Sequence, residues 1–266
     1  MEPDISIVLE KCISYCRTGT TERKVLRIKV GALFHPVPCD VTSSRATLAA
    51  LLAPLHPFDY LVNNAGVLIL EPADAISEEN LDKVMNVNFK APLLLSGLVA
   101  KEWIATGHKG TIVNMSSQSA MKPFPNHAVY CASKAALDHA MRVQAVEWGK
   151  YGIRVNAVNP TVVWTDMGKE VAKIQKWNDK TDATVLLDRM PIRRFADMTG
   201  KMSSWCAKDG VKVDTGPVEA VEWAHVSSMA VAEEKEVSDA VLFLLSDASA
   251  MTQGATLPVD GGYTTN

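Results

Sequence analysis

The feature that most constrains this chain is its alternation of short β-branched runs with longer amphipathic stretches. The runs "CISYC" (12 to 16), "FHPVPCDV" (34 to 41), "FDYLVNNAG" (58 to 66), "GTIVNMSS" (110 to 117), "IRVNAVNP" (153 to 160) and "ATLPVDGG" (255 to 262) read as strands or strand ends. Between them, "TSSRATLAALLA", "SEENLDKVMNVNFKAPLLLSGLVAKEWIA", "HAVYCASKAALDHAMRVQAVEWGK" and "EEKEVSDAVLFLLS" place apolar residues three and four apart, the spacing of a helix with one buried face. Strands joined through helices pair in parallel, so the expected fold is α/β, a Rossmann-like doubly wound parallel sheet. Ligands of such sheets sit beyond the carboxyl ends of the strands, where the polar clusters Asn63-Asn64, Ser116-Ser117 and Asn159 fall.

Composition narrows the function. At 266 residues, 47% hydrophobic and 21% charged, the chain is long for one domain and short for two, and a single domain over 1–266 is expected. A formal net charge of -3, scattered rather than blocked, offers no basic face to a nucleic acid. A small-molecule partner is expected instead. The cysteines, Cys12, Cys16, Cys39, Cys131 and Cys206, are odd in number and none sits in a paired ligand pattern, so no metal site is expected. The start, "MEPDISIVLE", is acidic where a targeting peptide is basic, and the apolar stretch "APLLLSGLVA" is too short to span a bilayer. A cytoplasmic protein is the expectation.

Within "NHAVYCASKAALD" (126 to 138), Tyr130 precedes Lys134 by four residues, which places the two on one face of a helix. A free tyrosine has a pKa of roughly 10, and a nearby ammonium favours its phenolate. A tyrosine tuned in this way is a general acid for neutral pH. A chance Tyr-x-x-x-Lys is common, so the surroundings decide.

Those surroundings form an ordered series: "NNAG" at 63 to 66, "NVNF" at 86 to 89, "VNMSS" at 113 to 117, "YCASK" at 130 to 134, "NPTVVWT" at 159 to 165 and "LPVDGG" at 257 to 262. In order and spacing the series resembles the short-chain dehydrogenase/reductase family, and the wording "SSQ", "NHAVYC", "NPTVVWTDMG", "MPIRRFA" and "MTQGATLPVDGGY" is most similar to its L-xylulose (dicarbonyl, carbonyl) reductases. The resemblance implies an NADPH-dependent carbonyl reductase that delivers hydride to a sugar ketone or α-dicarbonyl, assembled as a homotetramer. It implies that Tyr130 protonates the carbonyl oxygen, that Lys134 lowers the tyrosine pKa and holds the nicotinamide ribose, and that Ser117 bonds the substrate oxygen. Ser116 ranks second for that last role, because adjacent strand residues face opposite ways. Capping of the backbone is the other reading of this serine pair.

Asn88 matches the family's fourth catalytic position, credited with holding a water. Pro92, four residues on, has no N–H and leaves the Asn88 carbonyl without its helical partner. A plain proline kink is the alternative. For the cofactor NADP(H), the resemblance assigns Asp40, Asn63, Ala65 and Gly66 to the adenosine side. It assigns Pro160, Val163 and Thr165 to the nicotinamide side, beside Tyr130 and Lys134, and Arg17 to the 2′-phosphate. An arginine fork suits a phosphate, although an arginine after a strand is also simply solvated. Gln118, His127 and Trp177 match positions that line the substrate pocket. His127 is equally readable as a surface residue at a helix start.

Two departures from the family stand out. The glycine-rich turn that sets a pyrophosphate on a helix N-terminus is absent, and the early glycines Gly19 and Gly31 do not rebuild it. The sheet is therefore expected to be N-terminally incomplete. "ISIVL" (5 to 9) cannot act as its first strand, because only Glu10 and Lys11 separate it from "CISYC" and a parallel neighbour needs a crossover of roughly a dozen residues. Residues 197–232 stand where the family passes almost directly to its last helix, and read as an inserted loop. A second reading therefore stays open: a catalytically impaired chain that keeps the reductase shell and acts as a partner subunit.

Overall fold

The computed structural model describes residues 6–9, 39–55, 57–163, 165, 167, 232 and 234–265. Among these residues the sheet has five strands, in the order β1 (Ser6–Leu9), β2 (Tyr60–Asn63), β3 (Thr111–Met115), β4 (Arg154–Pro160) and β5 (Thr256–Val259). The first three pairings are parallel, with Leu61 opposite Ile112 and Ile112 opposite Val155. The α/β architecture is thus the expected one. The helices are α1 (Arg45–Leu52), α2 (Glu78–Met85), α3 (Ala91–Thr106), α4 (Ala128–Trp148) and α5 (Glu234–Leu245).

One expectation fails. Ser6–Leu9 does enter the sheet, parallel to β2, with Val8 opposite Val62. The crossover limit applies only to strands that are neighbours in the sheet, and the neighbour of this strand is Tyr60–Asn63, with ample chain between them. The backbone of β2 accordingly has a parallel partner on each side. "CISYC", the early glycines and Arg17 lie outside the described residues, as do Trp177 and the inserted segment apart from Ala232.

Local chemistry accounts for the helix ends. Ser44 caps α1 by accepting from the Thr47 N–H, and Ser77 caps α2 by accepting from Asn80. The Glu71 carboxylate ties that second cap together, accepting from the Ser77 hydroxyl at 3.0 Å and the Asn80 amide at 2.7 Å. Gly107 stops α3 at φ +70°, a left-handed conformation that suits glycine. At the sheet's other end, the guanidinium of Arg154 donates to the carbonyls of Leu244, Leu245, Ser246 and Ser249, which satisfies the last turn of α5.

The stretch 77 to 105 is not the single α-helix that its periodicity predicts. Between α2 and α3 the chain makes one π turn, Asn86–Lys90, in which the Ala91 N–H reaches back to the Asn86 carbonyl. Pro92 follows at once, and since it cannot donate, the hydrogen-bond ladder widens instead of breaking. Such turns are frequent at functional sites.

The chain divides into two compact units, Met1–Asn159 with Ala240–Leu257, and Pro160–Asp239 with Pro258–Asn266. The first holds the core: Leu48, Phe58, Leu61, Val84, Val99, Trp103, Ile112, Ile153 and Val155 are at most 1% exposed. In the second, Val163 bridges Ala232, and the Asp260 carboxylate accepts from the Gly262 and Thr264 N–H groups. No helix among the described residues is long and apolar enough to cross a membrane.

Candidate active site

Parallel register brings the carboxyl ends of β2, β3 and β4 side by side. Asn63 stands opposite Asn114, and its amide donates to Asn114 Oδ1 at 2.7 Å and to Ser96 Oγ at 2.9 Å. Asn63 Oδ1 and Asn114 Nδ2, both buried, have no hydrogen-bond partner. Polar capacity is therefore concentrated where a doubly wound sheet binds its ligands.

Immediately beyond β3, Ser117 accepts from the Ser119 N–H at 3.1 Å, so one of the two serines does cap the turn. Its hydroxyl also acts on the Tyr130 phenol, favouring the ionised form. Tyr130 and Lys134 lie one turn apart on α4, with the Lys134 ammonium 5.7 Å from the tyrosine ring centre. Lys134 is only 3% exposed and donates to the Met115 carbonyl at 2.7 Å.

The electrostatics differ from the sequence expectation. Burial pushes the Tyr130 phenol above its ordinary pKa, and the Ser117 hydrogen bond only partly opposes this. Lys134 is the group brought down, to about 8, because burial penalises its charge more than the nearby Asp138 carboxylate favours it. The expected lowering of the tyrosine by the lysine is thus not what this geometry produces: desolvation dominates, and the ammonium is directed at a main-chain carbonyl. The tyrosine is a protonated donor at neutral pH, beside a lysine that is still mostly charged.

Asn88, at the centre of the π turn, is 1% exposed. Its amide group donates to the Val67 carbonyl and to Ser133 Oγ, and its Oδ1 accepts from the Val67 N–H. Ser133 in turn donates to the Tyr130 carbonyl at 2.7 Å. A chain of short bonds therefore runs from the loop after β2, through Asn88, to the main chain of the tyrosine.

The residues assigned to the cofactor separate into groups. Asn63 and Ala65 line a small depression with Val41, Val87, Ala91 and Pro92. Gly66 approaches closely: a β-carbon there would stand 3.6 Å from Lys134 Nζ and 3.7 Å from Asn88 Oδ1. Asp40 is exposed, its carboxylate accepting from the Thr42 N–H and hydroxyl. The unpartnered Asn63 Oδ1, the apolar depression and the buried ammonium fit the adenosine and ribose parts of a dinucleotide. In the second unit, Pro160 ends β4, Val163 bridges Ala232, and the Thr165 N–H donates to the Val163 carbonyl at 2.7 Å.

Of the substrate-side residues, Gln118 is buried with its Oε1 unpartnered. His127 is no surface residue: it is 6% exposed, stacks edge-on toward Tyr130, and its Nδ1 lies 2.6 Å from the Pro125 carbonyl. Burial lowers its pKa, so the neutral ring donates from Nδ1 and keeps Nε2 as an acceptor.

Of two further residues of this centre, Asp138 carries no role in the sequence reading and Asn159 figures there only as a polar strand end. Asp138, one turn beyond Lys134, accepts from the Asn159 amide at 2.8 Å, and the same amide donates to the Ser117 carbonyl at 3.1 Å. An acidic residue in the buried stripe of an amphipathic helix was the available signal for Asp138. For Asn159 it was a polar residue at a strand end.

The sequence pattern described as short chain dehydrogenase matches residues 11–176, more than half of the chain. The chain belongs to that family of oxidoreductases. A second pattern, described as Enoyl-(Acyl carrier protein) reductase, matches residues 207–264. L-xylulose reductase of Caenorhabditis elegans is 41% identical over 231 residues, covering 87% of this chain and 76% of the relative. D-erythrulose reductase of Gallus gallus is 38% identical over 229 residues, 86% of this chain and 76% of the relative. A solved gluconate 5-dehydrogenase from Burkholderia cenocepacia J2315, in complex with NADP and tartrate, is 26% identical with a TM-score of 0.65, covering 86% of this chain and 74% of that one.

Proposed function

We propose that this chain is an NADP(H)-dependent carbonyl reductase acting on a sugar ketone or α-dicarbonyl. What supports it most is the arrangement of a half-buried Tyr130 with the buried Lys134 ammonium 5.7 Å from its ring and the Ser117 hydroxyl acting on its phenol. The relatives named for L-xylulose and D-erythrulose point to ketoses as substrates, and the neighbour solved with NADP points to that nucleotide. Bound NADPH would supply the hydride.

Each residue then has a task. Tyr130, held protonated by burial, gives its proton to the carbonyl oxygen, and Ser117 donates to that oxygen as negative charge grows on it. Lys134 offers its ammonium to the nicotinamide ribose and to the phenolate left behind. Asn88 holds the π turn against the loop that carries Ala65 and Gly66. Asn63 and Ala65 meet the adenosine, with Asp40 at its outer edge, while Pro160, Val163 and Thr165 take the nicotinamide side. Gln118 Oε1 and His127 Nε2 accept from hydroxyls flanking the ketone, in a pocket that the family resemblance assigns to Trp177 as well. Arg17 recognises the 2′-phosphate. The working form is a homo-oligomer in the cytoplasm, and exposed Val143 and Val146 on α4 are apolar surface of the kind a second copy would cover.

The test is NADPH-dependent reduction of L-xylulose and 2,3-butanedione, run beside a fluorescence titration with NADPH. Binding near micromolar affinity with turnover supports the reading. Absence of both favours the alternative, a reductase-like shell impaired by the missing glycine turn.

A further inference from the structure

On the basis of the reductase reading, we propose that Asp138 is a positioning residue of this centre, anchoring Asn159 and through it the main chain at Ser117, and placing a buried negative charge one turn from Lys134.

Asp138 is 3% exposed, on the face of α4 that carries Leu137, Met141 and Ala145 into the core. A carboxylate there is costly, since an apolar side chain of similar volume would pack the same space without desolvation. Its bonds show where that cost is directed. Oδ2 accepts from Asn159 Nδ2, whose other N–H is spent on the Ser117 carbonyl, so both amide hydrogens are committed and the amide cannot turn. Ser117 is the residue whose hydroxyl meets Tyr130. Two bonds therefore connect a carboxylate outside the reaction to the donor inside it.

The second arm is electrostatic. Burial raises the Asp138 pKa, and it is opposed by the Ser116 hydroxyl, by Asn159, and by the charges of Arg142 and Lys134. Among the described residues, the charged groups facing it come from α4, while β4 and the end of β3 present the neutral Asn159 and Ser116. Lys134 in turn meets Asp138, the Met115 carbonyl and the Tyr130 ring, and its ammonium lies 3.6 Å from where a β-carbon at Gly66 would stand. Among the described residues, this carboxylate is the anion that supports the ammonium against burial.

The two arms separate by substitution. Asp138→Asn keeps the shape and an oxygen for Asn159 but removes the charge. We expect its plateau kcat for 2,3-butanedione to stay near that of the unmutated chain while the alkaline limb moves down by roughly one pH unit. Asp138→Ala also removes the anchor, so its plateau should fall by roughly tenfold to a hundredfold. Equal plateaus for the two variants overturn the anchor, and an unmoved alkaline limb overturns the charge. A 13C NMR titration of the Lys134 ε-carbon, assigned with Lys134→Met, reads the same shift without turnover. A chain that reduces no carbonyl then counts against the reductase reading, whereas an unshifted Lys134 counts against this proposal. If neither variant folds, the unmutated chain decides: the Lys134 signal should show a second inflection at the acid pH where Asp138 protonates, and a single inflection overturns the coupling.

Discussion

Asn88 grips Val67 from both sides, accepting its N–H at 2.8 Å and donating to its carbonyl at 2.9 Å. A side-chain amide is suited to this because it presents a donor and an acceptor with the spacing of a backbone peptide. Asn88→Asp keeps the size but aims an oxygen at the Val67 carbonyl and leaves Ser133 Oγ without its donor. With the group 1% exposed, the loss should be about 1–3 kcal/mol of stability, read from urea denaturation. Stability equal to that of the unmutated chain would mean that the loop after β2 is held by other contacts.

Tyr130→Phe removes one oxygen and leaves the ring in place beside His127, 6.3 Å away. We expect reduction of 2,3-butanedione to disappear while NADPH affinity, followed by fluorescence, stays within a few-fold. Comparable losses of both would make the tyrosine structural. Lys134→Ala should instead weaken both, because its ammonium is assigned to the ribose as well as to the phenolate.

Lys134 sets opposite pH trends for activity and stability. Its folded-state pKa, near 8, lies below the ordinary lysine value of 10.5. Between these values the unfolded chain binds the extra proton, so stability from this residue rises with pH across the window and is lowest below it. Activity needs the ammonium and should fall as pH passes about 8. Melting temperature and kcat measured from pH 7 to 10 should therefore diverge, and the Lys134→Met variant should lose its share of the rise in stability.

Chemistry was legible in the sequence wherever one residue type at one spacing carries it. Tyr130 and Lys134 share a helical face, and Asn63 and Ser117 fall at or just past their strand ends, because periods of 3.6 and 2 fix which residues can meet. Energetic balance was not legible in the same way. The direction of the Tyr130 shift depends on how deeply the ring is buried, which a four-residue spacing does not state. Nor did spacing reveal the π turn, since Pro92 announces a missing donor without saying whether the ladder breaks, kinks or widens. The place of the first strand is hidden for a related reason: sequence distance to the next run does not state distance to the sheet neighbour. Asp138 and Asn159 meet only across the fold, and their pairing had no local signature.

Gly110, where the chain enters β3, is required by Trp103 rather than by its own backbone conformation. A β-carbon at this position would stand 2.5 Å from two atoms of the indole ring and 2.7 Å from a third. The indole cannot withdraw easily: it is 1% exposed, donates to the Phe58 carbonyl at 2.9 Å and meets the Phe58 ring edge-on at 5.9 Å. Nor can the backbone retreat without loss, because the Gly110 carbonyl accepts the Arg154 N–H at 3.0 Å, at the start of β4. Gly110→Ala should therefore cost at least the roughly 1–3 kcal/mol typical of an overpacked core. The cause is testable by a double-mutant cycle with Trp103→Leu, a substitution that is itself destabilising but removes the ring. If the clash is the mechanism, Gly110→Ala costs much less in the Trp103→Leu background, and the coupling exceeds the roughly 0.5 kcal/mol within which independent sites add. An equal cost in the two backgrounds would place the loss in the strand backbone and remove Trp103 from the explanation.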